Sequence, residues 1–260
     1  MKKSFIALAL FSAFSVQAEV VQDLSGWQTD GSSGNWTYNA ESNSWYQSEN
    51  TATGTFLYDP SADALGKAVE GSIKVGGGDD DWIGFALGYD AGDVDSPDSD
   101  YLLLTWKKAT QGGMLIGMDM WHITGSLGTS SLFSPYSHPS MTHVANASTL
   151  ADTGWATGVD YTFSLTYEKS GVGVFVNDNL EFALTPGDVG LSQFQGGSFA
   201  FFNYSQGGVT YDGVTFDSVE AVISEEQREQ IAAEVPLQGG AAAMLLAGAV
   251  GFSRKKRVNT

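Results

Sequence analysis

Between Gln22 and Ile223 the chain carries no sustained apolar pattern at the 3.6-residue spacing of a helix, and this constrains its fold more than any other feature. Its apolar residues come in alternation or in short runs. Tyr161, Phe163, Leu165 and Tyr167 alternate with Thr162, Ser164 and Thr166, the period of a half-buried strand. Residues 172–176 and 180–184 flank Asn177-Asp178-Asn179, and because Asn and Asp tolerate positive φ the segment predicts a hairpin. Residues 82–89, 101–106, 114–123 and 198–204 are more continuously apolar, as expected of central strands, and 69–75 and 209–216 complete the set. Gly-, Ser- and Asp-rich breaks separate these runs at fairly even intervals, which predicts an all-β sandwich of roughly ten strands.

The 42% of hydrophobic residues can bury a core, and no internal repeat or domain-sized shift in composition divides the chain. One domain over residues 19–223 is expected. Residues 224–234 form a spacer: Ser224 with Gln227 fits a capping box, and Glu225 and Glu226 suit a helix N-terminus, so a short exposed helix is predicted. There is no Cys, which excludes disulfides, zinc–thiolate and iron–sulfur centres and thiol nucleophiles.

Each end reads as an address. Residues 1–18 have a charged start (Lys2, Lys3), an apolar stretch and the small-x-small site Val16-Gln17-Ala18, which together predict a secretory signal peptide and an exported protein of the cell envelope or extracellular space. At the other end, residues 235–260 contain Val235-Pro236-Leu237, an apolar stretch and the basic run Arg254-Lys255-Lys256-Arg257, which would stay cytoplasmic. This tail resembles the PEP-CTERM group of bacterial sorting signals, in its Val-Pro-Leu-Pro-Ala variant, with Gln238 and Gly239 in place of the Pro-Ala. The resemblance implies transient membrane insertion and processing by an exosortase-type sorting protease; a plain tail anchor is the alternative. Between the two ends, residues 19–234 carry 6 basic against 30 acidic residues, a net charge of −24. That charge excludes nucleic acid as a partner, and it suits divalent cations.

Three stretches resemble the C-terminal domain of thrombospondins and its bacterial relatives. They are residues 69–75 followed by Asp79-Asp80-Asp81-Trp82-Ile83-Gly84-Phe85 and Gly88-Tyr89; the apolar run ending Thr105-Trp106-Lys107; and Gly154-Trp155 with residues 161–167, Phe201-Phe202-Asn203-Tyr204-Ser205-Gln206 and Val209-Thr210-Tyr211. The order holds over residues 54–216, with residues 125–149 matching poorly. The resemblance implies an L-type-lectin-like jelly roll, a concanavalin-like β-sandwich that is extracellular, calcium-binding and adhesive.

The residues themselves offer two acidic loops. Asp79, Asp80 and Asp81 follow three glycines and repel one another unless a cation screens them, and calcium takes six to eight oxygens in flexible geometry. A second loop holds Asp90, Asp93 and Asp95 as weaker candidates, with Asp98 and Asp100 beyond; it lacks the Gly and Glu of an EF-hand. If residues 82–89 form one strand, the two loops lie at its opposite ends, over about 20 Å apart. His138 and His143 lie in a Pro- and Ser-containing loop at the wrong spacing for one helical face, and His122 reads as structural. Trp36, Tyr38, Trp45 and Tyr46 are the best candidates for an exposed aromatic face.

No paired carboxylates along a strand, nucleophile elbow or phosphate loop appears, which points away from an enzyme. The expected function is a calcium-binding, lectin-like adhesion protein of the cell surface or extracellular matrix, with a polysaccharide or surface protein as partner. A carbohydrate-binding module or glycan-active enzyme on the same scaffold is the alternative, and a structural surface protein without a small ligand is a third reading.

Overall fold

The computed structural model describes residues 21–32, 34–128 and 131–235. The expected signal peptide and all of the sorting tail except Val235 lie outside them. Fourteen strands follow in order: β1 (Gln28–Asp30), β2 (Trp36–Asn39), β3 (Ser44–Gln47), β4 (Gly54–Tyr58), β5 (Lys67–Val75), β6 (Trp82–Tyr89), β7 (Asp100–Lys107), β8 (Gly117–Thr124), β9 (Met141–Asn146), β10 (Asp160–Glu168), β11 (Gly171–Val176), β12 (Asn179–Leu184), β13 (Ser198–Tyr204) and β14 (Val209–Asp217). Helices α1 (Val219–Val222) and α2 (Glu225–Glu234) close the described chain.

The strands form two antiparallel seven-stranded sheets. The front sheet runs β1-β4-β13-β6-β7-β8-β9, and the back sheet β12-β11-β10-β5-β14-β3-β2. This is the expected jelly-roll, concanavalin-like sandwich. Between the sheets, Ile83, Phe85 and Leu87 of β6 and Leu102, Leu104 and Trp106 of β7 join Phe163, Leu165 and Tyr167 of β10 in one core. The rings of Phe85 and Phe163 bridge the two sheets with centroids 4.4 Å apart. Each such ring contributes about 1.5–3 kcal/mol by burial.

Alternate residues of the front sheet build a second core on its outer face. Phe56, Trp82, Tyr89, Tyr101, Leu103, Trp121, Phe202 and Tyr204 are buried there beneath Val94, Met114, Leu127 and Leu132, which come from three loops. The Tyr204 hydroxyl ties this cover down by accepting from the backbone N–H of Leu132 at 2.8 Å. This second cover is why β6 and β13 are buried at every position. Leu127 and Leu132 belong to the stretch that matched the family pattern poorly. Gly84 sits where a Cβ would meet the Leu104 carbonyl oxygen at 1.8 Å, so the neighbouring backbone itself demands glycine.

The Asn177-Asp178 turn forms as expected, with φ of 47° and 63° at its two residues, the doubly positive pattern of a tight hairpin. The β10 strand departs from expectation. Ser164 and Thr166, expected to face solvent, are buried, because α1 and α2 lie over the back sheet. Val219, Val222 and Ile223 pack on Ala68. Ile231 of α2 fits over Gly173, where a Cβ would come within 2.3 Å of its side chain. The predicted capping box of α2 is present, Ser224 accepting from the Gln227 N–H while Gln227 accepts from that of Ser224. Short strands β1 to β4 and strand β9 escaped the sequence reading. Of the run 114–123, Met114 forms only an isolated bridge to Gln111, and the strand begins at Gly117.

Candidate functional site

Strand β6 has one acidic loop at each end, and the two are built differently. Before it, Asp79, Asp80 and Asp81 bring one carboxylate oxygen each within 4.8 Å of one another. The sequence reading asked what cation screens them, and the fold supplies one. Lys107, the last residue of β7, is wholly buried, and its Nζ donates to Asp81 Oδ1 at 2.6 Å, to Asp80 Oδ1 at 2.9 Å and to the Asp80 carbonyl at 3.0 Å. Asp79 accepts from the Asn50 side-chain amide and from the Asp80 N–H. Asp81 is held further by Gln206, which accepts from its N–H, and by Trp155, whose indole donates to its carbonyl at 3.1 Å. Burial raises the Asp81 carboxyl above its ordinary range, and the Lys107 ammonium opposes that rise.

After β6, Asp90, Asp93 and Asp95 lie in the loop to β7, as expected, and here strand β1 joins them. Asp30 Oδ2 accepts from the Tyr89 hydroxyl at 2.7 Å and from the Gly92 N–H at 2.6 Å. Asp93 accepts from the Asp90 N–H at 2.8 Å and from the Ser99 hydroxyl at 3.1 Å. Burial raises the Asp93 carboxyl, and the charges of Asp90 and Asp30 push it further in the same direction. Among the described residues, no lysine, arginine or histidine pairs with Asp30, Asp90, Asp93 or Asp95. Asp95 is exposed.

A third constellation lies at the rim of the front sheet, where β8 meets edge strand β9. Asp119 sits opposite Thr105 and Trp121 opposite Leu103, so both project from the outer face. The Asp119 carboxylate is almost fully buried and bonds His143 Nε2 at 2.8 Å and Asn146 Nδ2 at 2.7 Å. Burial raises the Asp119 carboxyl, against the pull of His143 and Asn146. The ring of Trp121 lies 4.9 Å from that of His143, edge-on, and Tyr136 packs 5.0 Å from Trp121 and 5.4 Å from His143. Tyr136 remains 51% exposed. One open aromatic ring thus stands beside a carboxylate, an imidazole and an amide held in fixed geometry.

Sequence reading missed this group because its parts come from β8, a short helical turn at Pro135–Ser137, and β9. The one available signal was Asp119, a lone charge inside an apolar run. His143 proves to lie on a strand rather than in a loop, while His138 closes the turn. His122 pairs with Asp100 at 2.6 Å. The expected aromatic face fails at three of four positions. Trp36, Tyr38 and Trp45 pack against the inter-sheet core, with the Trp36 indole donating to Thr55 Oγ1 and that of Trp45 to the Leu24 carbonyl, leaving Tyr46 exposed. Glu181 is buried and spent on structure: its carboxylate accepts from the N–H groups of Thr149 and Leu150 and from the Thr149 hydroxyl.

No protein-family model matches the chain, and no curated protein does. Solved structures do. The carbohydrate-binding module CBM66 from Bacillus subtilis aligns with a TM-score of 0.53 at 14% identity, over 74% of this chain and 96% of its own. A Bacillus subtilis protein of unknown function with a galectin-like fold aligns with a TM-score of 0.50 at 14% identity, over 75% and 90%. The exoplasmic/lumenal domain of VIP36, in its Ca2+/Man2-bound form, aligns with a TM-score of 0.50 at 11% identity, over 78% and 84%. At these identities the likeness is one of fold: the chain is a lectin-like β-sandwich.

Proposed function

We propose that the protein is an exported, lectin-like carbohydrate-binding module that serves adhesion at the cell surface or in the extracellular matrix, and that it binds glycans without cleaving them. The observation that carries this reading is the rim group of Tyr136, Trp121, His143, Asp119 and Asn146. A sugar ring presents an apolar C–H face and a fringe of hydroxyls, and an exposed aromatic beside preorganised donors and acceptors matches both. The likeness of fold to the carbohydrate-binding module CBM66 and to the Man2-bound VIP36 domain supports the same ligand class.

Adhesion, export and sorting stay within this proposal, on the sequence features that raised them: the signal peptide, the thrombospondin-like motifs, and the tail with Val235, Pro236, Leu237 and the basic run 254–257. Helix α2 supports the arrangement. It lies over the back sheet, so a chain held through its C-terminal end presents the front-sheet rim on its other side. Binding without hydrolysis rests on the sequence, in which no paired carboxylates lie along a strand. Calcium is proposed as a structural cofactor. At Asp79, Asp80 and Asp81 the fit is poor, because Lys107 already holds the place of the cation.

A glycan array comparing the wild type with Tyr136→Ala tests the reading. Binding to a defined subset of glycans, weakened at least about tenfold by the substitution, is expected. An array left blank by the wild type overturns carbohydrate binding and favours a structural surface protein. Reducing-sugar release from a bound polysaccharide would replace the binding module with an enzyme.

A further inference from the structure

The chain has no Cys, so a covalent staple in this sandwich needs another pair of groups. One buried pair is placed for it. Lys107 ends β7 and Asp81 precedes β6, and both side chains are sealed from water, at 0% and 2% exposure. The Lys107 Nζ stands 2.6 Å from Asp81 Oδ1. The Asp80 carboxylate reaches the same Nζ at 2.9 Å and is 31% exposed, so it connects the pair to solvent. The backbone that carries the Asp81 carboxyl is fixed as well, because Trp155 donates to its carbonyl and Gln206 accepts from its N–H. Opposite charges kept this dry are costly to hold as ions, and condensing them removes both. Burial also moves the Asp81 carboxyl toward its protonated form, the form that an amine attacks. Lys74 and Asp160, the other lysine–carboxylate pair among the described residues, meet at 2.8 Å on the surface, at 47% and 65% exposure.

We infer that Lys107 and Asp81 condense into an intramolecular amide, with Asp80 as the proton carrier; the contacts described above are those of the reactants. A proton passes from the Lys107 ammonium to Asp81 along their hydrogen bond, leaving a neutral amine beside a neutral carboxyl. The amine nitrogen attacks the Asp81 Cγ. Asp80, already in contact with that nitrogen, takes a second proton from it and hands it to the departing Asp81 hydroxyl. The Nζ–Cγ bond forms, one C–O bond breaks, and water leaves. An ammonium and a carboxylate become an amide and one water, nothing is oxidised or reduced, and Asp80 ends as it began. Fixed proximity supplies the effective concentration that free side chains lack, and the dry surroundings protect the product from hydrolysis. The amide ties β6 to β7 across 26 positions of chain, a role that a disulfide plays elsewhere. It is independent of the glycan site, so a blank array leaves it standing.

Mass spectrometry of the denatured full chain tests it, with Lys107→Arg and Asp80→Asn expressed and processed in the same way. The wild type is expected to fall short of the mass of its residues by one water. A tryptic digest should contain the peptide of Lys107 joined to that of Asp81, with no cleavage after Lys107. Lys107→Arg keeps a cation beside Asp81 but cannot condense, and it should show the full mass. Asp80→Asn keeps both reactants and removes the proton carrier, and it should remain largely unlinked. Full mass in the wild type, with Lys107 recovered as an ordinary lysine, overturns the inference. So does a loss of water that survives in Lys107→Arg, which would place it at another residue. Linkage undiminished in Asp80→Asn overturns the role given to Asp80. Should Lys107→Arg fail to fold, the fragmentation spectrum of the joined wild-type peptides decides the matter by itself, since it reads the bond directly.

Discussion

The turn before β6 and the loop after it are both runs of aspartate at the ends of one strand, yet the fold treats them in opposite ways. At the first, the chain brings Lys107 in from the end of the neighbouring strand and packs its ammonium among three oxygens within 3.0 Å. At the second, the carboxylates of Asp30 and Asp93 lean on backbone N–H and hydroxyl donors, and among the described residues no ammonium pairs with them. The effect shows in what opposes burial. Lys107 pulls the Asp81 carboxyl back down, whereas Asp90 and Asp30 push that of Asp93 further up. An acidic cluster therefore says little about metal binding until the nearest fixed cation is known. Carboxylates that already share a lysine have less to gain from an ion.

The largest expected effect comes from breaking the first turn. Lys107→Met should cost about 3–5 kcal/mol, because it strands Asp81, buried to 2% exposure, without its partner. Denaturant unfolding measures it, and a loss below about 1 kcal/mol would falsify the role given to the lysine. Calcium should recover part of that loss, since three converging carboxylates would then lack a cation. Gly84→Ala, one strand over, should be comparably damaging, as its Cβ would collide with the Leu104 carbonyl. A soluble variant with unchanged melting temperature would show that the two strands separate more easily than their spacing implies.

A transplant makes the comparison sharper. Asp90→Lys, at an exposed position, places a cation beside Asp93, and it should raise the melting temperature. A transplant that leaves the melting temperature unchanged would show that Asp93 gains nothing from a fixed cation. The smallest effect is one of pH. Because burial raises the Asp93 carboxyl in the folded state, its contribution to stability is fully present below the unfolded value, near 3.8, and is lost as pH rises through the folded one. Melts in EDTA from pH 3.5 upward should show this decline in the wild type and less of it in Asp93→Asn. A slope identical with and without the substitution would assign the decline to other acids.

Much of the sandwich was legible in the residues. Trp82–Tyr89 and Ser198–Tyr204 could be read as strands to the residue, because unbroken apolar runs bounded by Gly, Ser or Asp have few other ways to fold. The hairpin at Asn177-Asp178 and the capping box at Ser224 were equally plain, since each depends on residues within a few positions of one another. Strands β1, β2 and β9 were not legible: they are short, and neither an apolar run nor a tight Asn-Asp turn marks them as these mark β11 and β12. The same limit hid the burial of Ser164 and Thr166, which depends on a helix arriving from about sixty residues downstream.

For the candidate sites the division falls along the same line. The amino-acid order placed both aspartate runs at the two ends of β6 and made them separate, since a strand keeps its ends apart at about 3.3 Å per residue. Only the tertiary structure could decide that Lys107 joins the first run, that Asp30 joins the second, and that Asp119, Tyr136 and His143 meet at a sheet rim. Charge compensation and ring packing act over a few ångströms of space, and the fold brings together residues far apart in the chain: His143 and Asp119 are 24 positions apart, Lys107 and Asp81 26, and Gly92 and Asp30 62.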